Sequence, residues 1–461
     1  MKHLRQLFHI HDRFSAQPQP PCDGLPHELV AEVIKYLCAP LDSELMMPAF
    51  LYEGEREESM DAYDFTRTSN KIARRLLASV EDMRTAQASL CSAALVCRLW
   101  SNVVAEHLYL HSVVMSTVSC DKLRHTLKKL KRIDATGPLK KLTLLRVAPQ
   151  EPNERAAKRE EQAQAKLLHS LMKLTWSASL DTLTLINMPH ATSSFVLQSV
   201  DSQLTIHNGP RKLVVSFGYL SNAMPTFVNL KVLCLRTVRP FFAIEDSLDV
   251  TKMPHLQILQ MVDAQLAAYD EWFYRFRNHP TLETLEIYFA LNIENGREIC
   301  TLWWVLHAIP STWTSIRHIT LGILDTLPSG RTHYKDVVQC QLPLHLKSLT
   351  LLVNTPSMWS SCLFGQEWHG EDVIDNFLKN LRNIAGSKGS FRSLTFVTLP
   401  IPTEGLNDLE YLPNPMDGCE FAKRGRQRLQ DIQKFCNDIS VTCIIKECED
   451  LSVYVNERLR C

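Results

Sequence analysis

One six-residue word, L-x-x-L-x-L, recurs between residues 139 and 396, and a recurrent word restricts the fold more than any bulk property does. Strict copies are Leu139-Lys140-Lys141-Leu142-Thr143-Leu144 and the words built on Leu180, Leu183, Leu185 and on Leu230, Leu233, Leu235. A fourth strict copy is Leu346, Leu349, Leu351, and near copies are Leu256, Leu259, Met261; Leu282, Leu285, Ile287; and Ile316, Ile319, Leu321. Looser ones are Pro210, Leu213, Val215 and Phe391, Leu394, Phe396. The last two apolar positions are two apart, and on a strand residues two apart face the same side. A single word cannot bury its leucines alone. Stacking the words as parallel strands covers them, and each buried Leu contributes roughly 1.5–3 kcal/mol. The expected result is a solenoid whose intervening segments cover the convex side with helices or loops.

The starts at 230, 256 and 282 are 26 residues apart, while 316 and 346 are 30 apart. A leucine-rich repeat has a period of about 20–29 residues, so the region is similar to that class with extra material in the longer gaps. An expected charged helix from Glu151 to Lys173 and the Trp-rich segment from Met358 to Trp368 are two such additions. Only the word that ends at Asn354 carries the Asn that many leucine-rich repeats place after the motif, so the solenoid is expected to be irregular. Outward positions of the strands would form a surface that includes Thr143, Thr184, Cys234, Gln260, Glu286, Thr320 and Thr350. The aromatic residues Trp303, Trp304, Trp313, Trp359 and Trp368 fit either a binding loop or a core.

Composition removes several function classes. Fifty Lys and Arg balance fifty Asp and Glu, so the basic excess typical of a phosphate-binding surface is missing and no nucleic-acid partner is expected. Fourteen dispersed cysteines without any C-x-x-C pair read as thiols of a reducing compartment rather than as zinc or disulfide frameworks. Residues 1–21 lack the apolar core of a secretory signal, and no run approaches the roughly 18 apolar residues of a membrane span. A soluble chain of the cytoplasm or nucleus is expected.

Catalytic fingerprints are missing as well: there is no G-x-S-x-G, H-E-x-x-H, P-loop or dinucleotide-binding motif. Gly386-Ser387-Lys388-Gly389-Ser390 reads as a loop. Trp368-His369-Gly370-Glu371-Asp372 gathers metal-ligand types but reads as an exposed loop. Lys423-Arg424-Gly425-Arg426-Gln427-Arg428 reads as the solvated start of a helix that contains Leu429, Ile432 and Phe435. No enzyme activity, cofactor or metal is expected.

The region ahead of the repeats has a different character. After the Gln-Pro-Gln-Pro-Pro linker at 17–21, Pro26 suits the first turn of a helix, and Leu25, Leu29, Val33, Ile34 and Leu37 follow at helical spacing up to Pro40. Residues 41–88 are polar and charged, with a plausible helix from Lys71 to Met83 and the acidic cluster at 53–58. A second apolar helix is expected from Ser89 to Trp100, with Leu90, Ala94, Cys97 and Trp100 on one face. A helical stretch from Asn102 to Leu110 and a short strand at Val113-Val114-Met115 complete the region.

Leu25-Pro26-His27-Glu28-Leu29-Val30-Ala31-Glu32-Val33-Ile34-Lys35-Tyr36-Leu37 resembles the first half of an F-box. Leu95-Val96-Cys97-Arg98-Leu99-Trp100, with Ala105-Glu106-His107-Leu108-Tyr109, resembles the second half as found in fungal F-box proteins. The resemblance covers roughly 40 residues, split by an unusual insertion at about 38–88. It implies a tail at 1–21, an F-box at 22–115 and a leucine-rich-repeat-like domain at 116–461, an α/β architecture with a small helical module ahead of a parallel sheet. It also implies docking on a Skp-type adaptor, and through it on cullin and RING subunits, while the repeats hold an unknown target protein. On this resemblance Leu25, Pro26, Leu29, Ile34 and Leu37 match the first apolar strip, and Val96, Cys97 and Trp100 the second. A repeat scaffold with a degenerate F-box is the competing expectation.

Overall fold

The computed structural model describes residues 26–42, 80–96, 99–100, 103–104, 111–114, 117–132, 139–145, 180–186, 205–206, 209–216, 226–236, 250–262, 276, 279–289, 313–323, 342–353, 370–386, 389–398, 418–448 and 451–460. Eleven of its strands pair in parallel, which makes the chain α/β, and the chain divides into two compact units at Leu230 and Lys231. Of the residues expected to act, Leu25 and Cys97 lie outside the described ones. So do the tail at 1–21, the acidic cluster at 53–58, the segment 151–173 and Trp303, Trp304, Trp359 and Trp368.

The first unit opens with helix α1, His27–Asp42. The carbonyl of Pro26 accepts from the amides of Leu29 (3.0 Å) and Val30 (3.2 Å), so the proline sits just ahead of the first helical residue. Pro40 was expected to end this helix, yet the helix continues two residues beyond it. Helix α2 is described over 80–93 and crosses the boundary at 88 that the sequence placed between insertion and second half. A turn at 94–96 interrupts the continuous helix expected from Ser89 to Trp100, and Leu99 and Trp100 are again helical, while Cys97 lies outside the described residues. The buried stripe of α2 is Val80, Met83, Ala86, Leu90 and Ala93, a spacing of three and four that keeps one side inward.

Strand β1, His111–Val114, leads into helix α3, Thr117–Arg132, and then into β2, Lys141–Leu145, and β3, Thr182–Ile186. Two-residue β4, Thr205–Ile206, pairs with β6, Thr226–Phe227, while β5, Lys212–Ser216, continues the main series. In register, Leu142 lies beside Leu183 and Leu183 beside Leu213, with Leu144, Leu185 and Val215 forming the second row.

The second unit repeats the scheme with seven strands: β7 Val232–Arg236, β8 Ile258–Val262, β9 Thr284–Phe289, β10 His318–Ile323, β11 Ser348–Val353, β12 Ser393–Thr398 and β13 Thr442–Glu447. Helix α4, Gly370–Ala385, precedes β12; α5, Gly418–Asp438, precedes β13; and α6, Leu451–Arg460, follows it. Leu233, Leu259, Leu285, Ile319, Leu349 and Leu394 align in one row across six strands, and Leu235, Met261, Ile287, Leu321, Leu351 and Phe396 in the next.

All the apolar positions of the nine words are buried. The first residue of each word sits just before its strand, and the second makes the link to its neighbour. The carbonyl of Lys140 accepts from the amides of Asp181 and Thr182, that of Gln257 from Glu283 and Thr284, and that of Arg317 from Lys347 and Ser348. Second positions lie at this junction and are polar throughout, from Lys140 to Arg392. The prefix leucine thus fixes the turn that sets register, which explains why the word is longer than the strand's own alternation.

The other face of the strands departs from expectation. Thr143, Cys234, Gln260, Glu286 and Thr320 are buried, and Thr184 and Thr350 are half-buried, so these positions do not form the open surface the alternation suggested. Further along the same face Leu145 and Ile186 in the first unit, and Val262, Tyr288, Leu352 and Val397 in the second, are also buried. Parallel sheets are normally covered on both sides, and the strands from β2 to β12 follow that rule, whereas β13 at the edge is largely exposed on both faces. Trp313 joins the core at 1% exposure.

Two helices also differ from the sequence reading. Gly370, Glu371 and Asp372 open α4 instead of lying in a loop, and the basic run at 423–428 lies inside α5 rather than at its start. Gly386 does end a helix, its amide bonded to the carbonyl of Arg382 at 3.0 Å.

Candidate functional site

Helix α1 carries apolar residues on more than one side. Val30 and Ile34, four apart, are fully buried. Leu29, Val33 and Tyr36, spaced at i, i+4 and i+7, form a second stripe that is 51%, 44% and 82% exposed. Charged residues flank it: Glu28, Glu32 and Lys35 are exposed, and Lys35 pairs with Glu32 at 3.8 Å. Such a solvent-facing pair contributes at most ~1 kcal/mol, so it does not explain why large apolar side chains lie outside. An apolar stripe of this kind, rimmed by charge, is the most distinctive surface feature of this helix.

The expected site residues fall into three groups. Pro26, just ahead of α1, and Leu29 on it are exposed, and Val96 is exposed in the turn that follows α2, 60% open beside Leu95 at 48%. Leu37 and Trp100 are half-buried. Ile34 is sealed at 0% exposure inside this chain, so it supports α1 from within instead of offering a contact surface. Val33 and Tyr36 belong to the exposed stripe and were not singled out as contact residues. Counting four and seven from Leu29 would have found them, but the periodicity alone does not say which of two apolar stripes turns inward.

In the first unit, α2 is tied to the start of the strands. Gln87 Nε2 donates to the carbonyl of His111 at 3.5 Å, and the His111 ring lies 2.9 Å from the Thr143 hydroxyl. Ser89 and Ser92 bond back to carbonyls four residues earlier, a use of serine that satisfies the hydroxyl within the helix.

In the second unit a polar cluster is buried on the strand face opposite the leucine rows. Glu286 of β9 receives Arg458 of α6 on Oε1, through Nη2 at 2.7 Å and Nε at 3.3 Å. Its Oε2 receives Gln260 Nε2 at 3.0 Å and the Tyr288 hydroxyl at 3.3 Å. Burial and the neighbouring Glu286 carboxylate push the Tyr288 phenol well above its ordinary value, so it remains a donor. On β10, His318 Nδ1 lies 2.7 Å from the Ser348 hydroxyl, and burial together with Lys347 lowers its pKa, which favours the neutral ring.

Among the described residues no three His, Cys, Asp or Glu side chains are grouped to hold a metal ion. No described helix is long and apolar enough to cross a membrane. Neither a protein-family model nor a curated protein sequence matches this chain.

Proposed function

We propose that this chain is the substrate-recognition subunit of an SCF-type ubiquitin ligase, docking on a Skp-type adaptor through its N-terminal helices and taking a target protein on its repeat domain. The observation that carries this reading is the exposed stripe Leu29, Val33 and Tyr36, on a helix whose sequence resembles the first half of an F-box. The exposed pair Leu95 and Val96 supports it from the segment that resembles the second half. The buried rows of the nine words support a leucine-rich-repeat-like solenoid behind that module. Such a subunit performs no chemistry of its own. It raises the local concentration of target lysines near a charged E2 by holding both on one assembly.

The test is retention of a purified Skp-type adaptor by the immobilised chain. The double variant Leu29→Asp, Val33→Asp should lose at least about tenfold in adaptor affinity, since it places two charges in an apolar contact. Its melting temperature should stay close to that of the natural chain, because both side chains already face solvent. Full retention by the double variant would remove α1 as the docking helix. A folded natural chain that ignores every Skp-type adaptor tried would leave only the scaffold reading.

A further inference from the structure

Glu286 is a buried carboxylate that already selects a guanidinium. Its side chain is 5% exposed, whereas its partner Arg458 is 40% exposed and reaches in from α6. Leaving a buried charge unpaired is strongly unfavourable, so this position requires a cation from whatever covers it. Its neighbours in register, Cys234 on β7, Gln260 on β8 and Thr320 on β10, are uncharged, and Arg236, two residues beyond Cys234, is a buried cation on the same face.

The cover is a helix with weak intrinsic support. Helix α6 has ten residues, fewer than the roughly 12–15 an isolated helix needs, and Ser452, Val453 and Val455 are indifferent helix formers. Its buried stripe is Leu451, Val455 and Leu459. Two side contacts locate it on this face: Arg458 on Glu286, and Lys446 of β13 stacked 5.0 Å from the centre of the Tyr454 ring. Four strand steps separate β13 from β9, about 19 Å, and the contacting residues Tyr454 and Arg458 lie four positions, about 6 Å, apart on α6, so the long Lys446, Tyr454 and Arg458 side chains cover the remaining distance. The fit is incomplete. Gln260 is 2% exposed, and its Oε1 finds no donor among the described residues. The helix therefore answers the carboxylate but leaves an adjoining acceptor unanswered.

We propose that the face formed by β8, β9 and β10 is a binding surface for a partner helix that presents an arginine beside an apolar i, i+4, i+8 stripe, and that α6 occupies it as an intramolecular stand-in. The partner's guanidinium replaces Arg458 on Glu286, and a further donor on the same helix reaches Gln260 Oε1. Binding then requires α6 to leave, which makes capture of the partner self-limited. This rests on reading the repeat domain as the part that takes a target, and it names the chemistry of that target.

The probe is a fluorescent synthetic peptide with the sequence of residues 451–460, titrated onto the full-length chain. Three chains are compared: the natural one, Val455→Asp with Arg458→Gln, which displaces its own helix, and the same pair with Glu286→Gln added. The peptide should bind the displaced chain about tenfold or more tightly than the natural chain. Adding Glu286→Gln, or replacing the peptide's own arginine at the position of Arg458 by glutamine, should each remove about tenfold of that affinity. Faster amide exchange at 451–460 with unchanged protection at 393–398 shows that only the helix has moved. If the paired variant does not fold, Arg458→Gln alone carries the same comparison. Equal binding to natural and displaced chains, or binding indifferent to both the arginine and Glu286, overturns the proposal. Adaptor retention reads the ubiquitin-ligase assignment separately, because the substitutions on β9 and α6 leave α1 untouched.

Discussion

Gly322 and Tyr288 adjoin in register on β10 and β9, and the tyrosine ring fills the space a side chain at 322 would need. A Cβ at 322 would lie 2.7 Å from Tyr288 Cδ1, and Tyr288 is itself fully buried, so the ring has nowhere to retreat. Gly322→Ala should cost roughly 1–3 kcal/mol in urea unfolding, the usual penalty for overpacking. Combining it with Tyr288→Leu should recover part of that loss, a non-additive result expected of residues in contact. His279 provides a second residue-scale prediction. Its Nε2 lies 2.9 Å from the carbonyl of Met253, and burial lowers its pKa against the opposing pull of the Met253 and Val250 carbonyls. The folded ring therefore takes up a proton at lower pH than the unfolded ring, whose value is about 6.5. Its contribution to stability is complete above that value and declines as pH falls through it towards the folded value. The melting temperature should drop between about pH 7 and pH 5, and His279→Gln should flatten that slope. His318 shifts in the same direction, so the slope left in the variant reports on it.

At the level of elements, interior and edge strands should respond differently to the same loss of side chain. Leu349 on β11 is fully buried between two strands, while Ile444 on β13 is 47% exposed on the last strand of the sheet. Leu349→Ala should cost about 2–5 kcal/mol and Ile444→Ala less than about 1 kcal/mol, as read from denaturation midpoints. This contrast follows what was legible in the sequence. The words on Leu139 through Phe391 located nine of the eleven parallel strands, because a repeated buried pattern reports the inward face directly. Strand β13, with only one of its six side chains even half-buried and no apolar prefix word, carries no such signal. The second face of the sheet was misread for a related reason. Thr143, Gln260, Glu286 and Thr320 are polar types that alternate with leucines, which is the pattern of a solvated face. Their burial depends on what lies over them, and Arg458 is 172 residues away from Glu286 in sequence. In α1 the spacing of apolar residues was readable, but the exposure of Leu29 and the burial of Ile34 are set by packing that the pattern does not encode.

For the whole molecule, the proposed role is to bridge, and a bridge is tested by what it brings together rather than by its ends alone. A receptor held beside a charged E2 presents its own lysines at high effective concentration even when no target is bound. Reconstituted with a Skp-type adaptor, cullin, RING subunit, E1 and E2, the chain should therefore acquire ubiquitin on its own lysines, detectable as a mass ladder and mapped by peptide mass spectrometry. Omitting the adaptor should reduce this modification to background, because the chain has no other route to the E2. The Leu29→Asp, Val33→Asp chain should behave in the same way with the adaptor present, since its defect lies in docking and not in folding. Modification that persists without the adaptor, or that is undiminished in the double variant, would mean that the lysines reach the E2 by some path other than α1. A modification pattern that follows adaptor concentration in the natural chain and disappears in the double variant ties the exposed stripe on one helix to the activity of the whole assembly.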